Sequence, residues 1–434
     1  MSNDASTAGD SHEFPLTPFR WLALGLAAIA IFSTYYESDV IGELADLLGR
    51  QRGFTQTQIG DLNAAMHLPS VGLALLGGLL IDRFGAARMA AWMAMVGVAG
   101  AVLTAAGGPY EVMLTGRFLF GVCEGTIFIA LIAALALWFP RSGIALATSL
   151  FLSLARVGSF MVNRSTIWAK PLYDAGWQPP LWLGAAITAG GCIAAVALVV
   201  IDGRRTSVTA AEQGHRLPKL SELLQFDASF WYILGLHVLY ASVFFPFRQT
   251  YAVEYLQHAK HLSLQAAASV NSGVFGAAIF ATPFFGVIAD RFGHRAAFLC
   301  LGTVLLPVTL AVLALTNLNP WVSTVLMGVS WSLVPAIIWP STTLIVKPAR
   351  IGTALGVITS IQALGISASN HIAGLLASHA QAGSAHPEGY NAMLLFFGLV
   401  SLLALTSVVL LWRRESSPKG HGLELAGTAG VGRH

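Results

Sequence analysis

Two ionisable residues, Glu124 and Arg156, stand near the middle of long apolar stretches of the sequence. The stretches cover residues 111–138 and 144–168, and each exceeds the roughly 20 residues that a helix needs to cross a bilayer. A charge at the centre of a membrane costs on the order of 2.5–3.5 kcal/mol even on the lenient insertion scale. An acid and a base at this depth must therefore pair with each other or with a solute that passes between them.

The composition places the whole chain in a membrane. Of its 434 residues, 55% are apolar and only 10% are charged, whereas a soluble domain carries about 25% charged residues. The three cysteines lie inside apolar runs, without disulfide or metal-ligand spacing. The sequence has no glycine-rich phosphate loop and no nucleophile elbow. We therefore expect no enzyme, no cofactor, no metal and no nucleic-acid partner.

Polar breaks divide the apolar runs into twelve predicted transmembrane helices, so the fold class is an all-α membrane protein. The predicted spans are 19–40, 57–81, 88–108, 111–138, 144–168, 180–201, 229–256, 265–289, 295–316, 320–345, 352–379 and 390–412. The lipid bilayer is thus an expected partner of the protein.

The positive charges predict which way the spans run. Sixteen of the 24 Lys and Arg residues fall on the side of the two termini, four fall on the opposite side, and four lie within spans. By the positive-inside rule, both termini are cytoplasmic. Residues 1–17 lack a signal-peptide pattern. We expect an integral multi-pass protein of a bacterial inner membrane.

The two halves of the chain carry similar motifs at a nearly constant spacing. Asp82 and Asp290 stand at the ends of spans 2 and 8 and are 208 residues apart, while Gly143 and Gly352 stand at the starts of spans 5 and 11 at a spacing of 209. Repeats in the same orientation are typical of two-bundle transporters. The predicted units are a cytoplasmic tail (1–17), a six-helix bundle (18–201), a cytoplasmic linker (202–228), a second six-helix bundle (229–413) and a second tail (414–434).

The repeated element itself predicts a gate latch. The glycine that follows allows a tight reversal between two helices, and the aspartate can face the positive end of a neighbouring helix. The gating residues are Asp82 and Arg83 in the first copy and Asp290 and Arg291 in the second. A turn with solvated charges is the simpler alternative.

These motifs resemble the major facilitator superfamily. Gly78-x3-Asp82-Arg83-x-Gly85-x-x-Arg88, its repeat after span 8 and Arg117 in span 4 carry the resemblance over about residues 19–414. Ala86-Ala87 depart from it, because the superfamily often has a basic residue there. The resemblance implies a major facilitator fold that works by alternating access.

A narrower resemblance is to the lysosomal dipeptide transporter branch of that superfamily. It rests on six stretches in both halves, which are 116–124, 154–159, 243–247, 268–272, 339–340 and 353–365. The resemblance implies that Glu124 and Arg156 hold the amino and carboxyl ends of a dipeptide, and that spans 1, 4, 7 and 10 line the cavity most closely. The expected substrate-binding residues are Glu124, Arg156, Tyr35, Tyr36, Tyr240, Phe245, Arg248, Asn271, Trp339 and Gln362.

The chemistry of these side chains fits a zwitterion. Arginine offers a two-pronged fork to a carboxylate, glutamate accepts hydrogen bonds from an ammonium, and aromatic walls accept varied side chains. The expected substrate is a dipeptide, about 7 Å long at roughly 3.3–3.6 Å per residue, and we expect the protein to function as a monomer.

Several alternatives stay open at this point. Glu124 and Arg156 could pair with each other and pin two helices, and Arg117 could be the partner of Glu124, although a helix-packing role suits it better. His67 and His237 suit core positions better than proton transfer. A proton-coupled symporter of organic anions or sugars is the main rival function, a channel is a further class, and the choice between uniport and proton symport is undecided.

Overall fold

The computed structural model describes residues 17–139, 143–202, 225–347, 350–418 and 420–424. In these ranges the chain is almost entirely helical. The helices of the first half are α1 (Thr17–Arg52), α2 (Gln56–His67), α3 (Ser70–Phe84), α4 (Ala86–Ala106), α5 (Tyr110–Trp138), α6 (Ile144–Trp168), α7 (Lys170–Ala175) and α8 (Gln178–Asp202). Those of the second half are α9 (Ala228–Pro246), a π-helical turn (Phe247–Tyr251), α10 (Ala252–Ala259), α11 (Leu264–Phe292), α12 (Arg295–Leu315), α13 (Pro320–Ile345), α14 (Ile351–His379) and α15 (Tyr390–Glu415).

The helices alternate between two faces of the molecule. We call the end at which α1 begins and α15 ends the terminal face, and the end at which α1 and α14 finish the far face. Within the described ranges, eleven helices are long and apolar enough to cross a membrane. The twelfth crossing is made by α2 and α3 together. The prediction of an all-α membrane protein with two six-helix bundles is therefore confirmed.

Two predicted spans are interrupted, and a proline lies at each break. The span expected at 57–81 is divided into α2 and α3 at Leu68-Pro69, because proline lacks the N–H that would continue the helix. The span expected at 229–256 changes to a π-turn directly after Pro246. In both places the regular α-helical hydrogen-bond pattern is interrupted.

Helix α1 is longer than the predicted span 19–40, and it reaches Arg52. Acidic residues occur near the end of the predicted span and beyond it, and such residues are costly in lipid. Glu37, Asp39 and Glu43 are nonetheless at most 3% exposed. They are covered by other helices rather than by lipid, so a long polar helix end is accommodated inside the protein.

The internal repeat is visible in the helix bounds. Helix α11 begins 208 residues after α2 begins and ends 208 residues after α3 ends. It runs without a break, since Ala277 stands where the first copy has Pro69. The predicted linker lies mostly in residues 203–224, outside the described ranges, so the division at 202–228 and the bounds of the tails stay predictions.

At the terminal face, hydrogen bonds and a salt bridge join the start of α9 to the end of α15. Asp227 accepts a hydrogen bond from the Ser229 N–H and pairs with Arg414 at 2.6 Å. Burial favours the protonated carboxyl, but these hydrogen bonds and the Arg414 charge together hold the pKa of Asp227 below its usual range. The ends of α9 and α15 are thereby fixed to each other.

Arg117 on α5 has the helix-packing role that the sequence favours. Its side chain is completely buried and donates to the carbonyl oxygens of Glu37 at 3.0 Å and Ser38 at 2.9 Å, and to Asn63 Oδ1 at 2.8 Å. Its carboxylate neighbour is Glu37, at 4.0 Å, rather than Glu124. One guanidinium thus ties α1, α2 and α5 together.

We expect Arg117→Leu to destabilise the fold strongly, because it leaves a buried carboxylate without its cation and three acceptors without a donor. Removing one partner of a buried ion pair costs about 3–5 kcal/mol. The unfolding temperature of purified protein in detergent should fall by many degrees. Arg117→Lys, which keeps the charge, should lose less. An unchanged unfolding temperature for Arg117→Leu would contradict this role.

Candidate functional site

Glu124 projects from the middle of α5 into a partly buried polar position. Its Oε1 accepts a hydrogen bond from Ser38 Oγ at 3.3 Å, and its Oε2 lies 3.8 Å from His67 Nδ1. Its side chain is 18% exposed, so water or a solute can reach it. In the ranges that the structure describes, no ion pair joins Glu124 to Arg156. Glu124 and Arg156 therefore do not form a salt bridge with each other in this conformation.

Arg156 on α6 is held by aromatic rings. Its guanidinium carbon lies 5.2 Å from the ring centroid of Trp331, 5.4 Å from that of Tyr35 and 5.5 Å from that of Phe275. Such contacts are worth about 0.5–2 kcal/mol each and use the ring faces rather than the N–H groups. In the described part of the chain, the guanidinium has no hydrogen-bond partner, so its fork is available to an anionic group.

Aromatic side chains connect the base to the acid. The Phe245 ring lies 5.1 Å from the Trp331 ring beside Arg156 and 6.2 Å from the His67 ring beside Glu124. Tyr240 stacks behind Trp331 at 6.3 Å and is fixed by a 2.8 Å hydrogen bond to Ser330. We call the region between Glu124 and Arg156, with Tyr35, Phe245, Phe275 and Trp331, the central site.

The central site contains one ring that sequence reasoning missed. Phe275 is one of 24 phenylalanines and carries no polar signal, so nothing in the sequence singles it out. It contacts Arg156 and also lies 4.2 Å from the guanidinium of Arg248. Only the packing of α11 against α6 and the π-turn reveals its place between two cations.

Tyr36 does not face the central site, contrary to the prediction. It is 1% exposed and packs in an apolar cluster with Tyr173 and Leu181. Neighbouring residues of a helix point about 100° apart, so only one member of the Tyr35-Tyr36 pair can face Arg156. The structure assigns that position to Tyr35.

Trp339 and Gln362 form a separate cluster around His237. The rings of Trp339 and His237 are 4.9 Å apart, and His237 Nε2 lies 2.9 Å from Gln362 Oε1. His237 precedes Phe245 by eight residues on α9, which corresponds to about 12 Å along a helix. The structure therefore places these two predicted residues nearer to the terminal face than the central site.

Arg248 lies in a contact between the bundles and at the edge of the central site, where its guanidinium carbon is 4.2 Å from the ring centroid of Phe275. Its Nη2 is 2.6 Å from Asp39 Oδ2, and the two side chains are 1% and 2% exposed. The predicted residue Asn271 also bridges the bundles, since its Nδ2 donates to Asn163 Oδ1 at 2.7 Å. Both contacts join the first half of the chain to the second, and substrate binding by Arg248 and Asn271 stays a prediction.

The π-turn supplies further contacts between the two bundles. Gln249 Nε2 donates to Asp39 Oδ1 at 2.6 Å, and Thr250 Oγ1 accepts from Asn63 Nδ2 at 2.8 Å. We call this set of cross-bundle contacts, formed by Asp39 and Asn63 with Arg248, Gln249 and Thr250, the far gate. It shuts the far face above the central site.

Pro246 explains why the gate residues come from a π-turn. It has no N–H to bond to the carbonyl of Ser242, and that carbonyl accepts from the Ser369 hydroxyl instead. The following residues adopt the wider π geometry, which is rare and often found at functional sites. Three consecutive polar side chains are thereby buried against the opposite bundle.

A second polar layer lies above the gate, towards the far face. Gln56 Nε2 donates to Glu254 Oε1 at 2.7 Å, and His258 Nε2 lies 3.0 Å from Asp46 Oδ1. These four residues line an open cavity of about 320 Å³. The cavity lies outside the far gate and is therefore separate from the central site.

The predicted latch is only partly described. The side chains of Asp82 and Asp290 lie outside the described residues. Arg83 and Arg291 are exposed, and their guanidinium carbons lie 5.3 and 5.8 Å from the rings of Phe84 and Phe292. Gating by these four residues stays a prediction.

Comparisons with known proteins show the family of the chain. The profile described as Major Facilitator Superfamily matches residues 27–370. The lysosomal dipeptide transporter MFSD1 of Bos taurus is 30% identical over 416 residues, which are 93% of this chain and 87% of the relative. Its counterpart in Homo sapiens is 30% identical over 407 residues, covering 91% of this chain and 86% of the relative.

A solved structure shares the fold at low sequence identity. A bacterial homolog to the human lysosomal transporter Spinster superposes with a TM-score of 0.74 at 14% identity, covering 92% of this chain and 98% of the other. The likeness concerns the fold alone.

Proposed function

The chain belongs to the major facilitator superfamily, and from that premise we propose that it is a secondary transporter that moves dipeptides across a membrane by alternating access. It acts as a monomer and catalyses no reaction of its own. The membrane-transport part follows from the family. The dipeptide substrate is the finer proposal, and the relatives named dipeptide transporters support it.

The observation that carries the proposal is an acid and a base that share one aromatic site without pairing. Arg156 keeps its N–H donors free in the described part of the chain, while three rings hold it in place. Such a fork binds a carboxylate through two parallel hydrogen bonds. Glu124 can accept the ammonium at the other end of the same molecule. The rings between them suit side chains of many kinds.

The predicted orientation in the membrane indicates which side the closed far gate faces. With both termini cytoplasmic in a bacterial inner membrane, the closed far gate faces the outside. The central site would then communicate with the cytoplasm, and transport would require the far gate to open. The excess of positive charge on the terminal side supports this orientation.

Proton-coupled transport of organic anions is the second candidate function. It is favoured by one contact, the 3.8 Å approach of His67 to Glu124, which places two titratable groups side by side in the central site. A proton shared there could accompany a substrate. Uniport of a dipeptide and proton symport are both compatible with this arrangement.

A thermal-shift screen of purified protein tests the substrate class. A ligand that binds only the folded state raises the unfolding temperature by mass action. Dipeptides of varied sequence should stabilise the protein, and derivatives blocked at either the amino or the carboxyl end should not. Stabilisation by organic anions or sugars, with none by dipeptides, would overturn the dipeptide proposal and favour the rival.

Asp82→Asn tests the predicted latch. Because the carboxylate is expected to interact with a helix end in only one conformation, its loss should change the turnover rate in proteoliposomes more than the affinity for substrate. A several-fold change is expected, since interactions of charges with helix ends are worth about 0.3–1 kcal/mol. An unchanged turnover rate would count against the latch.

A further inference from the structure

We infer that Gln249 is a positioning residue that couples occupation of Glu124 by the substrate ammonium to the opening of the far gate. This inference rests on the proposed function. Gln249 is 5% exposed and lies on the π-turn, with contacts to both the gate and the immediate neighbours of Glu124. It is not a substrate ligand itself.

The gate side of the coupling is an ion pair that Gln249 shares. Its Nε2 donates to Asp39 Oδ1 at 2.6 Å, while Arg248 Nη2 donates to the other oxygen, Oδ2, at 2.6 Å. The Asp39 carboxylate belongs to α1, and both donors belong to the second half of the chain. Gln249 therefore supplies half of the hydrogen bonds that hold Asp39 in the closed gate.

The substrate side has two connections to Glu124. Gln249 Nε2 also donates to Ser38 Oγ at 2.9 Å, and Ser38 in turn donates to Glu124 Oε1 at 3.3 Å. Gln249 Oε1 lies 3.2 Å from His67 Nε2, and His67 Nδ1 lies 3.8 Å from Glu124 Oε2. Both oxygens of Glu124 are thus approached by groups that Gln249 contacts.

The chemistry of the groups constrains the donors and acceptors of this network. Because the carboxylate of Asp39 can only accept, the nitrogen of the Gln249 amide must face it, and the amide oxygen must face His67. A neutral His67 ring then carries its proton on Nε2 and turns an unprotonated Nδ1 towards Glu124, so only the imidazolium form offers Glu124 a proton from Nδ1. Ser38 receives from Gln249 and has one hydroxyl proton, which faces Glu124 Oε1 at 3.3 Å and Met66 Sδ at 3.6 Å.

A substrate ammonium changes this hydrogen-bond network at Glu124. It competes with Ser38 for Oε1 of Glu124 and offsets the negative charge that faces the His67 ring. When either group turns, Gln249 loses a partner and its bond to Asp39 weakens. Coupling free energies between sites are typically 1–3 kcal/mol, a factor of about 5–150 in affinity. Occupation of Glu124 should therefore favour opening of the far gate by about this factor.

Thr250 provides a matched control on the same π-turn. It accepts from Asn63 across the bundles at 2.8 Å and donates to Asn370 at 2.7 Å, but it contacts neither Ser38 nor His67. Thr250→Val should weaken the far gate without breaking the connection to Glu124. Gln249→Leu should weaken the gate and also break the connection.

The experiment measures a distance across the far face. Spin labels are placed at Ala175 and Ala385, which are exposed in the two halves, after replacement of the three free cysteines. The distance distribution is recorded with and without an unblocked dipeptide, and dipeptide binding is measured on the same samples. In the native sequence, we expect the dipeptide to shift the population towards the open gate.

Three variants test whether Gln249 couples Glu124 to the far gate. In Thr250→Val the gate should be more open at rest and still respond to the dipeptide. In Gln249→Leu the response should be lost, with dipeptide affinity changed by less than the coupling factor of about 5–150. Gln249→Asn, whose side chain is too short to contact Asp39, Ser38 and His67 together, should show the same loss and serves if Gln249→Leu does not fold.

Two failures are distinguishable. If the native sequence binds no dipeptide, the proposed function fails. If the native sequence binds dipeptide but its gate distance does not change, or if Gln249→Leu and Gln249→Asn respond as Thr250→Val does, the coupling role of Gln249 is overturned while the proposed function stands.

Discussion

Glu124→Gln and Arg156→Lys are each expected to abolish dipeptide uptake into proteoliposomes while folded protein remains at the native level. Glu124→Gln removes the charge that binds the ammonium, and Arg156→Lys replaces a planar fork by a point charge that cannot form two parallel bonds. Hydrogen bonds to charged groups are worth about 1.5–3 kcal/mol. Affinity should therefore fall by roughly 10- to 150-fold in each variant.

Matched controls separate this effect from a general disturbance of the two helices. Glu111→Gln changes an acid in the first turn of α5, and Arg164→Lys changes an arginine nearer to the far end of α6. Neither residue contacts the central site, so uptake should stay close to native. Normal uptake by Glu124→Gln and Arg156→Lys would show that the pair is structural and that these two residues do not bind the ends of the dipeptide.

Gly42→Ala is expected to keep the far gate from closing. Gly42 lies on α1 where this helix meets the π-turn, and a Cβ atom at this position would lie 2.3 Å from the carbonyl oxygen of Gln249. That oxygen belongs to the backbone and cannot rotate away, so one of the bundles must move. We expect the far-face-open state to predominate and net uptake to fall more than about tenfold, which corresponds to 1.4 kcal/mol.

The control for this substitution lies on the same helix. A Cβ atom at Gly25 would meet nothing within 4 Å, so Gly25→Ala should leave gating unchanged. The measurement is the label distance between Ala175 and Ala385 across the far face, together with uptake. A native distance and native uptake for Gly42→Ala would show that the interface adapts to the extra methyl group, and the role of Gly42 in closure would be rejected.

The sequence by itself determined the membrane class, the number of crossings and most helix bounds. The predicted spans 144–168 and 320–345 have the same bounds as α6 and α13. These features depend on local patterns, because burial in lipid requires an unbroken run of apolar residues and a satisfied backbone. The sequence also singled out Glu124 and Arg156, since a charge within such a run is rare and costly.

The tertiary structure alone decided which side chains share the central site and which join the two halves of the chain. Arg248 meets Asp39, 209 residues earlier in the chain, and no local pattern predicts that pairing. Whether Tyr35 or Tyr36 faces Arg156 depends on how α1 is rotated about its axis relative to its neighbours. Apolar content does not specify this rotation when both faces of the helix are covered by protein. The contacts between bundles arise from atoms that meet only after both halves have folded, so the far gate and the place of Gln249 in it could be recognised only in the assembled structure.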